Sequence, residues 1–279
     1  MVYKFLFISF AFFLISYYIM NKSPLRKALL VGINYNADER NKLYGCINDV
    51  KNIQKKLAQT NPECKNIRML TDDSLNPLLK PTRINIINSF TWLLSNLQKG
   101  DSILFHYSGH GGLTVDLSGD EESKYDSCIY PIDNNKIQMI TDDELRLFFI
   151  NRIPATISCF AIFDCCHSGT VLDFRYNFST PTPNNLLMSQ NNKYMATPGS
   201  VICLSGCQDN QTAADTVDVQ GNPSGALTNA LLNSWNTYGT TIKYKNLLWD
   251  VYQYLKLNNY PQVPYLSCSN VDAVNKLFN

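Results

Sequence analysis

Short apolar runs bounded by glycine and polar clusters recur along this chain, and between them apolar residues repeat at helical spacing. Ala28-Leu29-Leu30-Val31-Gly32-Ile33 reads as a first buried strand. From Cys46 to Ala58, Ile47, Val50, Ile53 and Leu57 share one face and predict an amphipathic helix. Ile67-Arg68-Met69-Leu70 predicts a short second strand. Pro81-Thr82 opens a helix with Ile86, Ile87, Phe90, Leu93, Leu94 and Leu97 on a broad face, and Gly100 stops it. Two strong strand signals follow, Ile103 to Tyr107 and Ile157 to Phe163. Between them, Cys128-Ile129-Tyr130 predicts a short strand, and Thr141 caps a helix with Asp142, Asp143 and Glu144 in its first turn. Residues 175–198 are rich in Asn, Ser, Thr and Pro and predict a loop or linker. Val201 to Ser205 reads as a strand, Ser224 to Trp235 and Lys243 to Leu257 as helices, and Val263 to Ser267 as a last strand. Strands alternating with helices argue a mainly parallel sheet covered on both faces.

The composition narrows this picture. With 279 residues, 45% apolar and 17% charged, the chain fits one large α/β domain plus an appendage. A net charge of +1 leaves no electrostatic footprint for nucleic acid. The nine cysteines are odd in number and scattered without framework spacing, which favours a reduced compartment. Phe5 to Met20 is almost wholly apolar and, with Val2 and Tyr3, approaches the roughly 20 residues that span a bilayer. That segment predicts an uncleaved N-terminal transmembrane helix. Lys22, Arg26 and Lys27 follow it, so the domain behind it is expected in the cytosol. The rival reading, a cleaved signal peptide, lacks small residues before the cut.

Candidate chemistry sits at two strand ends. Tyr107-Ser108-Gly109-His110-Gly111-Gly112 ends one, and Asp164-Cys165-Cys166-His167-Ser168-Gly169 ends the other. A histidine near a cysteine can take its proton, and the thiolate is a nucleophile. Side chains alternate along a strand, so Cys165 and Cys166 face opposite ways where the strand persists. His167 neighbours the cysteine in sequence, and adjacent residues rarely point together. The remote His110 is therefore the expected base. His106 reads as a core imidazole. A zinc site is disfavoured, because adjacent residues chelate poorly.

These motifs carry a resemblance. Together with Gly45-Cys46-Ile47-Asn48-Asp49-Val50, Tyr125 to Asp133 and Ser205-Gly206-Cys207-Gln208-Asp209-Asn210-Gln211, they make the chain similar to a type I metacaspase from about Lys27 to the C-terminus. No long insert separates the two halves. The resemblance implies a caspase-like three-layer α/β sandwich, here with the N-terminal transmembrane helix added. With the apolar N-terminal segment, the chain then divides into an anchor and linker at 1–24, a large-subunit-like region at 25–175, an inter-subunit linker at 176–199 and a small-subunit-like region at 200–279. It implies a monomeric cysteine endopeptidase with His110 as base and Cys166 as nucleophile. The backbone N–H groups of Gly111 and Cys166 would face the oxyanion. Cys46, Asp49, Ser108 and Asp164 would line a specificity pocket, whose two carboxylates suit protein or peptide substrates with Arg or Lys before the scissile bond. They would repel Asp. Asp126, Asp142, Asp143 and Asp173 would bind calcium, a cation of oxygen ligands, in a zymogen activated by that ion. Self-cleavage is expected in the linker, at Lys193 rather than Arg175. The alternative is a non-proteolytic quality-control or interaction protein on the same fold.

Overall fold

The computed structural model describes residues 25–278 apart from 63, 120–123, 167, 169, 170, 183, 184, 195, 207–214 and 219. The chain enters through strand β1 (Leu25–Gly32), helix α1 (Cys46–Thr60) and β2 (Asn66–Thr71). Helix α2 (Arg83–Leu94) and β3 (Ser102–Ser108) follow. Beyond β3 come β4 (Gly111–Val115), β5 (Tyr125–Ile129), the two-residue strands β6 (Ile132–Asp133), β7 (Lys136–Ile137) and β8 (Ile140–Thr141), and helix α3 (Asp142–Phe148). Next are β9 (Ser158–Asp164), β10 (Tyr176–Thr182), β11 (Asn185–Gln190), β12 (Ser200–Ser205), β13 (Asp215–Val217) and β14 (Pro223–Gly225). Helices α4 (Ala226–Tyr238) and α5 (Tyr244–Leu257) and strand β15 (Tyr265–Cys268) complete the fold.

Eight strands form one sheet in the order β11-β10-β15-β12-β9-β3-β1-β2. The five strands from β12 to β2 run parallel, while β15, β10 and β11 pair antiparallel. Alternation along each strand then builds two cores. Ala28, Leu30, Leu104, Phe160 and Ile162 face one side, packed with Val50, Ile53 and Leu57 of α1, Leu227 and Leu231 of α4, and Leu248 and Val251 of α5. Leu29, Val31, Phe105, Ala161 and Phe163 face the other, packed with Ile86, Phe90 and Leu93 of α2 and Leu145 of α3. Apolar residues on both faces explain why these strands read as near-continuous apolar runs. The result is a three-layer α/β sandwich.

Three expectations change. First, the N-terminal transmembrane helix and the membrane-anchored location are corrected. Among the described residues, no helix is long and apolar enough to cross a membrane. The Phe5–Met20 segment lies outside the described residues. Second, residues 175–198 are not all loop: β10 pairs with β15, and β11 with β10. Backbone pairing to an existing sheet edge overrides the weak β-propensity of Asn and Ser there. Third, α2 ends at Leu94 instead of running to Gly100. The Lys27 ammonium donates to the carbonyls of Trp92 (2.8 Å) and Ser95 (2.6 Å) and closes the helix there. The predicted Thr141 cap is present as a full capping box with Glu144.

Candidate active site

Ser108 and Asp164 are register partners on the parallel strands β3 and β9. His110 and Cys166 each lie two residues further on, so both motifs leave the sheet side by side. Adjacent strands are about 4.8 Å apart. The Gly109 N–H reaches the Asp164 carbonyl at 3.4 Å, and a Cβ on Gly111 would overlap the Cys166 carbonyl oxygen. Cys165 is 1% exposed and packs in the second core with Val171 and Leu172. Cys166 is half-buried. Of the two adjacent thiols, Cys166 is the more accessible. His167 lies outside the described residues.

The His110 imidazole is fixed by a group that the sequence does not advertise. Its Nε2 lies 2.7 Å from the Asn41 carbonyl oxygen. A carbonyl only accepts, so Nε2 carries the hydrogen and, in the neutral ring, Nδ1 keeps its lone pair. The Tyr35 ring lies against the imidazole at 4.6 Å between centroids, tilted by 38°.

Beside this pair, two carboxylates flank Gly225. Asp49, on α1, is fully buried. It accepts from the Ser108 hydroxyl (2.7 Å), the Ser224 hydroxyl (2.6 Å) and the Gly225 N–H (2.9 Å to Oδ1). Asp164 accepts from both the N–H and the hydroxyl of Thr228, each at 2.8 Å. A Cβ on Gly225 would stand 2.6 Å from Asp164 Cγ and 2.9 Å from Asp49 Oδ2. Burial first, and the Asp164 charge second, push the Asp49 carboxyl up to about 7 against the pull of its hydroxyl donors. Cys46 is buried at the start of α1, and the buried Ser108 donates to Asp49 and is the register partner of Asp164. All four residues expected in a pocket therefore gather at one end of the sheet. Ser224 and Gly225 of β14 and Thr228 in the first turn of α4 join them unannounced, because these elements are remote in sequence.

His106 is fully buried on the α1/α4 side of β3, with Nε2 3.1 Å from the Thr228 hydroxyl. Burial lowers its pKa to about 3, so it is a neutral core imidazole, as its place on the strand suggests.

The four remaining aspartates occupy three segments. Asp126 is buried on β5, Asp142 and Asp143 open α3, and Asp173 follows the cysteine loop with φ of +48°. Asp142 accepts from Ser127 N–H (2.6 Å) and Asp143 N–H (2.9 Å). The Arg146 guanidinium of α3 donates to the carbonyls of Leu172 (3.1 Å) and Asp173 (2.8 Å), tying the segment after Cys166 to this helix. The donor chemistry, carboxylate oxygen throughout, suits calcium. The placement is less complete: among the described residues, no group of three or more His, Cys, Asp or Glu side chains is placed to hold a metal ion.

A half-buried thiol and an imidazole held at Nε2 thus stand at adjacent ends of parallel strands in an α/β sandwich, and these are groups that a cysteine peptidase requires. The family model for the metacaspase, peptidase C14 domain matches residues 26–175. Metacaspase-1 of Schizosaccharomyces pombe is 37% identical over 88% of this chain and 67% of its own length. Metacaspase-1B of Neurospora crassa is 37% identical over 90% of this chain and 68% of its own, and Metacaspase-1 of Cryptococcus neoformans 37% over 91% and 64%. The chain thus spans about two thirds of the length of these relatives. Among solved structures, a Geobacter sulfurreducens protein superposes with a TM-score of 0.63 at 22% identity, covering 91% of this chain and 97% of its own. Caspase-1 of Spodoptera frugiperda superposes at 0.56 with 13% identity, covering 88% and 87%. These last two show the fold. The chain belongs to the metacaspase family of cysteine peptidases.

Proposed function

We propose that this protein is a cysteine endopeptidase that cuts peptide bonds after Arg or Lys. The observation that carries the reading is the carboxylate pair about Gly225, set beside the strand ends that bear His110 and Cys166. Two buried like charges repel, and a guanidinium or ammonium entering between them relieves that repulsion while gaining charge-assisted hydrogen bonds. An Asp side chain meets the opposite sign.

The chemistry follows from the tautomer of His110. Its Nδ1 takes the Cys166 proton, and the thiolate attacks the carbonyl carbon after the basic residue. The backbone N–H groups of Gly111 and Cys166 are the donors for the resulting oxyanion. The imidazolium then gives its proton to the departing amine, leaving a thioester on Cys166. Water attacks that thioester, His110 takes the water proton, and the thiol is restored. The Asn41 carbonyl holds Nε2–H throughout and stabilises the imidazolium.

Calcium enters this proposal on donor chemistry alone. Asp126, Asp142, Asp143 and Asp173 are the residues that would hold it. Bound there, it would neutralise their repulsion and fasten α3 to the segment after Cys166. Self-cleavage enters through Lys193, which is exposed in the turn after β11. Arg175 is half-buried at the foot of the same hairpin, its carbonyl accepting from Asn191 N–H.

The test is hydrolysis of matched fluorogenic peptides ending in Arg, Lys or Asp, with calcium and with chelator, alongside Cys166→Ala. Cleavage of Arg and Lys peptides that disappears in Cys166→Ala is expected. Preferential cleavage after Asp overturns the specificity.

A further inference from the structure

Two buried tyrosine hydroxyls join the peptide groups of His110 and Tyr130. The His110 N–H donates to the Tyr35 hydroxyl (3.0 Å), which donates to the Tyr130 carbonyl (2.7 Å). The Tyr130 N–H donates to the Tyr107 hydroxyl (3.2 Å), which donates to the His110 carbonyl (2.7 Å). The circuit closes in one direction, and the two hydroxyls lie 3.3 Å apart. His110 and Tyr130 also continue the β4–β5 ladder by one rung beyond the Gly111–Ile129 pair, with Tyr130 N–H 3.3 Å from the His110 carbonyl.

Two further features show that this region is shaped around the hydroxyls. Tyr35 has φ of +54°, a left-handed backbone that a bulky residue adopts only under constraint. Gly109, directly before His110, has no room for a side chain. A Cβ there would stand 2.7 Å from the Tyr107 hydroxyl and 3.2 Å from that of Tyr35. Burial raises both phenols well above their ordinary pKa, so both stay protonated at any working pH.

We propose that Tyr35 and Tyr107 are positioning residues for His110: their hydroxyls clamp its peptide from both sides, while the Tyr35 ring and the Asn41 carbonyl fix its imidazole. The proposal rests on His110 being the base for Cys166. Neither hydroxyl bonds the imidazole; both act on the His110 backbone. Each acts by setting where Nδ1 stands, and proton transfer is sensitive to that placement because donor and acceptor must lie within hydrogen-bond reach.

The experiment uses Tyr35→Phe, Tyr107→Phe and the double variant, which keep the rings and remove the hydroxyls. Turnover of an Arg peptide is expressed per Cys166 site titrated with an irreversible label, so that unfolded protein does not count. Each single variant is expected to lose about 10-fold or more in kcat, with KM and the preference for Arg over Asp unchanged. A second readout needs no peptidase activity: the pH dependence of Cys166 alkylation by iodoacetamide, followed by mass spectrometry. Its midpoint is expected to rise by about half a unit or more in the variants, because a displaced His110 stabilises the thiolate less. Wild-type kcat per titrated site together with an unshifted alkylation profile overturns the clamp. A wild-type protein that hydrolyses no Arg peptide but whose alkylation profile shifts in the variants refutes the proposed activity and upholds the clamp.

Discussion

Replacing Gly225 by Ala probes the carboxylate pair with a single methyl group. Gly225 has φ of −75° and ψ of 143°, which any residue adopts, so the substitution strains no backbone. What it lacks is space. The new Cβ would stand 2.6 Å from Asp164 Cγ and 2.9 Å from Asp49 Oδ2, closer than carbon atoms approach carboxylates. Asp164 must move, and to move it must loosen two 2.8 Å hydrogen bonds from Thr228. A hydrogen bond to a charged group is worth about 1.5–3 kcal/mol, and overpacking by a methyl costs typically about 1–3 kcal/mol. If about 3 kcal/mol of this falls on the recognition of a basic side chain, kcat/KM for an Arg peptide drops roughly 150-fold. Cys166 should keep its reactivity toward iodoacetamide, since Gly225 does not carry the nucleophile or its base. The assay is the pair of measurements, peptide hydrolysis and alkylation, with a thermal melt to confirm folding. A folded Gly225→Ala protein that hydrolyses Arg peptides at the wild-type kcat/KM refutes the placement of the specificity pocket.

Cys166→Ala should abolish hydrolysis, while Cys165→Ala should retain it with a melting temperature lowered by the small cavity in the second core; the reverse pattern, read by peptide assay and melt, refutes the assignment. Two of the buried titratable groups, Asp49 and His106, make opposite contributions to stability against pH. Folded Asp49 holds its proton up to about 7, whereas an unfolded Asp releases it near about 3.9. Its contribution is therefore greatest at low pH and is lost as pH rises through about 7. Folded His106 refuses a proton down to about 3, whereas an unfolded His takes one below about 6.5. Its contribution is present above that value and is lost as pH falls. Asp49→Asn should leave stability rising more steeply with pH between about 4 and 7 than in the wild type, measured by melting temperature across that range; an unchanged slope refutes the raised Asp49 carboxyl. Addition of calcium to freshly purified protein should yield a new terminus after Lys193 by mass spectrometry, and Asp143→Ala with Asp173→Ala should prevent it; the same cut in chelator refutes control by this ion.

The strands, their apolar faces and the two motif ends were legible because burial on both sides of a parallel sheet forces long apolar runs, and because helix α1 keeps a clean spacing at Ile47, Val50, Ile53 and Leu57. What escaped sequence reasoning was contributed from far along the chain. Nothing local to Thr228 or Ser224 shows that they donate to Asp164 and Asp49, since the contacts span 64 and 175 residues. Asn41 acts through its carbonyl, which every residue possesses. Tyr35 acts through a backbone conformation that no periodicity encodes. The β10–β11 hairpin was hidden for a related reason, as its pairing to β15 is decided by a strand about ninety residues away. The calcium set shows the other limit: matching aspartates identify donor chemistry, and convergence is a separate, three-dimensional property.

The central claim is that Cys166 is the nucleophile and that the neighbouring pocket selects a basic residue. The most direct measurement is covalent labelling with two otherwise identical peptidyl acyloxymethyl ketones, one ending in Arg and one in Asp, followed by mass spectrometry of the modified peptide. Rapid labelling by the Arg reagent, confined to Cys166, with little by the Asp reagent, is the predicted result. An adduct on Cys165, or equal labelling by the two reagents, contradicts it.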